Sequence, residues 1–214
     1  MNKPLIVLGA GGHASVLVDI LRSQGRIPVA LVTPSLGAGR IVLADIPCWN
    51  DESKVLSFSP NEVELVNGIG SLPGHVLRAE KFFHYQALGY RFAQVVSPHA
   101  MVSNYAELAE GVQVMAGAII QAGSRIGPNT IINTGAIVDH DCQIGADNHI
   151  ATGSVLSGGV FTGSRVHVGT GASVIQGIDI GDDAVVGAGA NVTRSLGTAQ
   201  IAYVAKGIVM PIKQ

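Results

Sequence analysis

Residues 114–138 read VMAGAIIQAGSRIGPNTIINTGAIV, and in this stretch a branched aliphatic residue returns at Val114, Ile120, Ile126, Ile132 and Val138. The spacing continues outward, from Val96, Val102 and Leu108 on one side to Ile144, Ile150, Leu156, Val168, Val174, Ile180, Val186 and Val192 on the other, with Thr162 as the exception. Helices and strands have side-chain periods of 3.6 and 2, so neither produces a strict period of six. The period describes a solenoid. Small residues often stand two places before the aliphatic site (Ala118, Ser124, Ala136, Cys142, Ser154, Ala172), and glycine often follows it (Gly127, Gly145, Gly163, Gly169). A narrow three-sided β-coil needs such a face, small then branched and followed by a tight corner. Three hexads make a coil of eighteen residues, and the span holds about five and a half coils, enough for neighbours to bury one another.

This pattern resembles the hexapeptide-repeat acyltransferases, whose fold is a left-handed parallel β-helix. The resemblance implies that fold for residues 93–214. A β-helix also serves as a plain scaffold, so a non-catalytic trimeric binding module stands as an alternative until a site is found.

Residues 1–92 follow another pattern. Leu5–Leu8 is a β-prone run, Gly9-Ala10-Gly11-Gly12-His13 a glycine turn, and Val16, Leu17, Ile20 and Leu21 recur at helical spacing. Strands are expected at residues 29–32 and 63–66, the latter before Gly68-Ile69-Gly70, and a helix over 75–88 with Val76, Leu77, Phe82, Phe83 and Leu88 as its apolar residues. This is a small Rossmann-like α/β unit with a parallel sheet. The glycine turn and the helix after it can seat a phosphate. The dinucleotide fingerprint is incomplete, since the spaced third glycine is missing and Thr33-Pro34 stand where an acid would hold a ribose. A smaller phosphate-bearing ligand, approached by Gly11, Gly12, His13 and the Gly70 turn, fits better.

With a formal net charge of −2, a pI near 6.4 and 13% charged residues, nothing points to nucleic acid or an acidic membrane surface. No apolar run is long enough to span a bilayer, and two cysteines far apart suit a reducing compartment; the expected location is cytoplasmic.

The solenoid departs from its bland composition at Asn133-Thr134-Gly135-Ala136-Ile137-Val138-Asp139-His140-Asp141-Cys142. Register turns Cys142 inward and sends His140 out at a corner beside Asp139 and Asp141. An imidazole whose tautomer is fixed by a carboxylate is a candidate general base. Neighbouring side chains there diverge, so no metal site is expected. By eighteen-residue arithmetic Gly158 stacks on His140, offering an accessible amide for an oxyanion, and His149 stacks with His167. One coil has no deep pocket, so a second wall is expected from a neighbouring subunit.

Together, Gly9-Ala10-Gly11-Gly12-His13, Gly68-Ile69-Gly70, Ser97-Pro98-His99-Ala100 and the 133–142 stretch make the chain similar to nucleotide-sugar N-acetyltransferases of bacterial glycan pathways, the group containing bacillosamine and perosamine N-acetyltransferases and related sialic acid O-acetyltransferases. The resemblance implies a homotrimer that moves acetyl from acetyl-CoA to the amine of a nucleotide-linked 4-amino-4,6-dideoxysugar without a metal. It implies His140 as base and Asp141 as the residue raising its basicity. His149 and Gly158 would lie at the thioester, and Thr170 and Ala188, farther along the same coil edge, by the pantetheine and nucleotide arms of CoA. Gly11, Gly12, His13 and Gly70 would hold the nucleotide-sugar. A sugar hydroxyl, as in a sialic acid O-acetyltransferase, would use the same base, so that alternative stays open. Two departures stand out: Thr33-Pro34 replaces the group's usual acidic pair after the second strand, and Ala202-Tyr203-Val204-Ala205-Lys206 replaces its usual Gly-Val-Pro-Ala-Lys.

Overall fold

The computed structural model describes residues 3–34 and 39–204, so the end of the last motif, with Lys206, lies outside the described residues. Strands β1 (Leu5–Leu8), β2 (Ala30–Val32), β3 (Cys48–Trp49) and β4 (Glu64–Asn67) form a parallel sheet of order β3-β2-β1-β4. β3 has no signal in the sequence, because two residues are too short to show a period. Helix α1 (Gly12–Ser23) follows the glycine turn and buries Ala14, Leu17, Val18, Ile20 and Leu21, while Val16, expected inside, is 44% exposed.

Helix α2 (Leu77–Ala87) departs further from expectation. Of the five apolar residues named for this helix only Phe82 is buried; Val76, Leu77, Phe83 and Leu88 are exposed. The buried face is Arg78, Phe82 and Tyr85, spaced four and three apart as a helix stripe requires. Hydrophobic patterning missed it because its first member is an arginine.

From Val95 onward the chain forms three parallel sheets of five, six and seven two-residue strands. Up to the last coil each strand pairs with the one eighteen residues later, as in Ile131↔His149 and Val138↔Leu156, and the final pairing, Val185↔Ile201, spans sixteen. Ladder bonds join coil to coil, for example Ile131 N to Asn148 O at 2.9 Å. The aliphatic ladder and the small sites fill the interior: Ile120, Ile132, Ala136, Val138, Cys142, Ile150 and Leu156 are all at most 1% exposed. Thr162, the break in the ladder, has a partner. Asn148, buried at a small-residue site, donates to Thr162 Oγ1 at 2.6 Å and accepts from Val166 N at 2.6 Å. One polar residue in the core therefore demands the other.

The two parts are joined by buried polar bonds. The Arg78 guanidinium donates to the carbonyls of Asn67 (2.9 Å) and Ile69 (2.7 Å) in the first part and, through Nε and Nη2, to that of Asn129 (3.2 and 3.1 Å) in the solenoid. Asn67 donates to Asn129 Oδ1 at 3.0 Å, and Gln113 Nε2 to Asn67 O at 2.8 Å. Burial lowers the Arg78 pKa to about 9, with Asp147 pulling the other way, so the cation persists at neutral pH. Arg78→Leu should strand several carbonyls and cost roughly 3–5 kcal/mol in denaturant unfolding. A loss under about 1 kcal/mol would mean that these bonds do not hold the two parts together.

Candidate active site at two solenoid corners

His140 and Asp141 lie at the corner where the chain leaves the six-stranded sheet for the five-stranded one. Asp139 Oδ1 accepts from His140 N at 2.7 Å, tightening the turn. Asp141 has φ 59°, a left-handed conformation; in the coils on either side the same place is taken by Gly123 and Gly159, with φ 78° and 67°. A non-glycine residue there costs roughly 1–2 kcal/mol, somewhat less for Asp. The chain accepts the cost and gains a carboxylate: His140 Nδ1 meets Asp141 Oδ2 at 2.9 Å. A carboxylate only accepts, so Nδ1 carries the hydrogen and Nε2 is left bare.

The coils above and below make room for this pair. A Cβ on Gly158 would stand 2.4 Å from His140 Nε2, and one on Gly123 would stand 2.2 Å from Asp141 Oδ1. Gly158 is thus buried beneath the imidazole instead of lying open, and its N–H has no hydrogen bond among the described residues. The hydrogen bond that His140 donates to Asp141, then the charge of Asp139, raises the His140 pKa above the ordinary imidazole value. Both side chains face solvent, at 64% and 72% exposure.

Thr170 and Ala188 do not share this edge. Gly171 N bonds to Thr152 O and Gly189 N to Thr170 O, so Thr134, Thr152, Thr170 and Ala188 stack eighteen apart at the corner between the seven- and six-stranded sheets. Thr170 is thirty residues beyond His140, which is not a whole number of coils. The outer face of the six-stranded sheet separates the two corners and carries Met101, Ile119, Ile137 and Val155, Met101 being 68% exposed.

His149 also belongs elsewhere. With Gly12, His13, Gly70, Ser71, Leu72, His75 and Asn133 it lines a cavity of about 490 Å³ between the α/β part and the seven-stranded sheet. Both its nitrogens are engaged: Nδ1 with Ser71 O at 3.0 Å and Nε2 with Asn133 Nδ2 at 3.0 Å. Burial, then His167, lowers its pKa to about 4, and the two rings meet edge to face at 4.9 Å, as the register requires. It is a neutral brace between the Ser71 loop and the solenoid, and any bond from its nitrogens to a thioester would have to displace one of these partners.

Gly11 caps α1 and Gly12 begins it, so free N–H groups face the turn. Residue patterning does not single out Arg40, whose guanidinium comes 3.7 Å from where a Gly12 side chain would start and adds a cation over the helix N-terminus. Its only signal is one basic residue in the segment after β2. Among the described residues no cluster of three or more His, Cys, Asp or Glu could hold a metal ion, and no helix is long and apolar enough to cross a membrane.

Comparison with known proteins agrees with the fold. Residues 123–158 match the bacterial transferase hexapeptide (six repeats) family. No curated protein matches the chain. Among solved structures, a histidine-to-asparagine variant of perosamine N-acetyltransferase from Caulobacter crescentus, in complex with CoA and GDP-perosamine, is 36% identical, with 94% of this chain and 93% of that one covered and a TM-score of 0.84. The acetyltransferase domain of PglB from Neisseria gonorrhoeae, in complex with acetyl coenzyme A, is 29% identical over 94% and 96%, with a TM-score of 0.85. WeeI from Acinetobacter baumannii, 22% identical over 94% and 96%, shares the fold with a TM-score of 0.82.

The pairing at the first corner is measurable. Asp141→Asn should return the His140 pKa toward the ordinary imidazole value in an NMR titration. An unchanged titration would show that the carboxylate does not govern this imidazole.

Proposed function

Because the chain belongs to the hexapeptide-repeat nucleotide-sugar N-acetyltransferase group, an acyltransferase group, we propose that it transfers acetyl from acetyl-CoA to the amine of a nucleotide-linked 4-amino-4,6-dideoxysugar. The observation that carries this reading is the His140–Asp141 pair, held between two glycines that exist in the coil to admit it.

The chemistry needs few parts. The amine attacks the thioester carbonyl, forming the C–N bond, and gives its proton to His140 Nε2. The tetrahedral oxygen takes a hydrogen bond from the unpartnered Gly158 N–H. The C–S bond then breaks and the imidazolium returns the proton to the leaving thiolate. Positioning and oxyanion stabilisation lower the barrier without a covalent enzyme intermediate.

Residues 1–92 then form the acceptor-binding unit, with Gly11, Gly12, Gly70 and Arg40 at the nucleotide-sugar, and residues 93–214 carry the transfer. The two corners support a homotrimer. His140 and Gly158 lie across the six-stranded face from Thr170, Ala188 and the cavity, so one chain does not bring base and acceptor pocket together. A cyclic trimer that buried the Met101, Ile119, Ile137 and Val155 stripe would set the His140 corner of one subunit against the Thr170 corner of the next. The compartment in this reading is the cytoplasm, where free Cys48 and Cys142 stay reduced.

CoA release should be followed with acetyl-CoA and UDP-, GDP- and dTDP-linked 4-amino-4,6-dideoxysugars. One of them should turn over, and His140→Ala should lower that rate roughly 10²–10⁴-fold. Gly158→Ala should do similar damage while the fold keeps its stability, since the exposed ring can swing aside. With His140 as base, kcat/KM should fall as pH drops through the raised imidazole pKa. Turnover of free sialic acid alone would replace the amine with a hydroxyl acceptor, and absence of any CoA binding would leave a scaffold.

A further inference from the structure

His13 is wired so that it cannot serve a phosphate. Gln113, fully buried, donates through Nε2 to Asn67 O at 2.8 Å; a carbonyl only accepts, so the orientation of the amide is fixed. Its Oε1 therefore faces His13, 2.7 Å from Nε2, and that nitrogen must carry the hydrogen. Burial, then the charge of Arg78, lowers the His13 pKa to about 3. The groups around it cannot supply a proton at neutral pH: His149 is itself neutral, and Arg78 is tied to carbonyls. Nδ1 is a bare lone pair without a partner among the described residues, it is not sealed from solvent, and the ring lines the cavity with Gly12, Gly70, Ser71, Asn133 and His149.

Phosphate oxygens at neutral pH also only accept. We infer that His13 determines acceptor specificity by taking, at Nδ1, a hydrogen bond from a hydroxyl or amino group of the sugar, the phosphates being left to the Gly11-Gly12 turn and Arg40. The proposal rests on the nucleotide-linked amino-sugar reading and corrects the sequence-based one, which set His13 beside the phosphate. The Asn67–Gln113 pair acts through His13 by holding its tautomer, and it spans the joint between the two parts. Tautomer and joint thus depend on the same bonds.

Two substitutions separate holding from reading. In His13→Gln the amide nitrogen can replace Nε2 and keep the Gln113 bond, but nothing stands at Nδ1. In His13→Asn the amide oxygen can replace Nδ1, and the Gln113 bond is lost. His13→Gln should raise KM for the turned-over nucleotide-sugar about three- to tenfold, leaving the affinity for the bare nucleoside diphosphate and the melting temperature unchanged. His13→Asn should recover most of that KM. Equal weakening of sugar nucleotide and bare diphosphate by His13→Gln, or no change in either, would overturn the proposal. Nitrogen-15 NMR of the unliganded protein gives an independent result: a hydrogen on Nε2 alone at neutral pH is expected, and a hydrogen on Nδ1 overturns the inference by itself. The expected tautomer with no turnover of any nucleotide-sugar would instead overturn the substrate reading, and the sugar contact with it.

Discussion

Backbone hydrogen bonds between coils fix each position of the solenoid, up to its shorter last coil, relative to the residue eighteen places on. Gln113 N meets Thr130 O, His149 N meets Val166 O and Val155 N meets Ala172 O at 2.8–3.0 Å, and this lateral ladder continues through the stack. The fold leaves little choice within it: an aliphatic residue and a small residue enter the core on each face, and the corner must turn. Chemistry can be placed only where side chains leave the coil, at corners and on outer faces. A residue's neighbours there are those eighteen before and after it.

That constraint made much of the site legible. His140 had to project at a corner, Gly158 had to lie against it in the next coil, and His149 had to meet His167. By the same arithmetic Thr170 is off the edge of His140, since thirty is no multiple of eighteen, whereas the resemblance to the acetyltransferase group implies a shared edge. Other features left no trace. Arg78 looks like a surface residue of α2, and only the carbonyls of Asn67 and Ile69 in the turn after β4 and of Asn129 in the solenoid make its burial tolerable. Arg40 reaches the glycine turn through folding of the segment after β2. The engagement of His149 by Ser71 and Asn133 depends on docking of the α/β part, which no period encodes.

The histidines show how environment divides one residue type among roles. His13, His149 and His167 sit at the joint, where desolvation lowers their basicity and leaves them neutral. His140 stands in solvent beside Asp139 and Asp141, which hold its pKa up. Neutral rings at the joint can brace and discriminate by donor and acceptor pattern, whereas the exposed one can exchange a proton. In the proposed reaction the base and the acceptor pocket lie on opposite sides of an apolar face, so catalysis would be a property of the assembly.

The central claim, a site completed by two subunits, is tested most directly by mixing. His140→Ala subunits and Thr170→Trp subunits, each inactive alone, would be co-assembled and assayed with acetyl-CoA and the accepted nucleotide-sugar. The account predicts that activity returns in the mixture, because some interfaces pair an intact His140 corner with an intact Thr170 corner. Mixed assemblies as inactive as either parent would contradict it, and would place base and donor edge on the same chain.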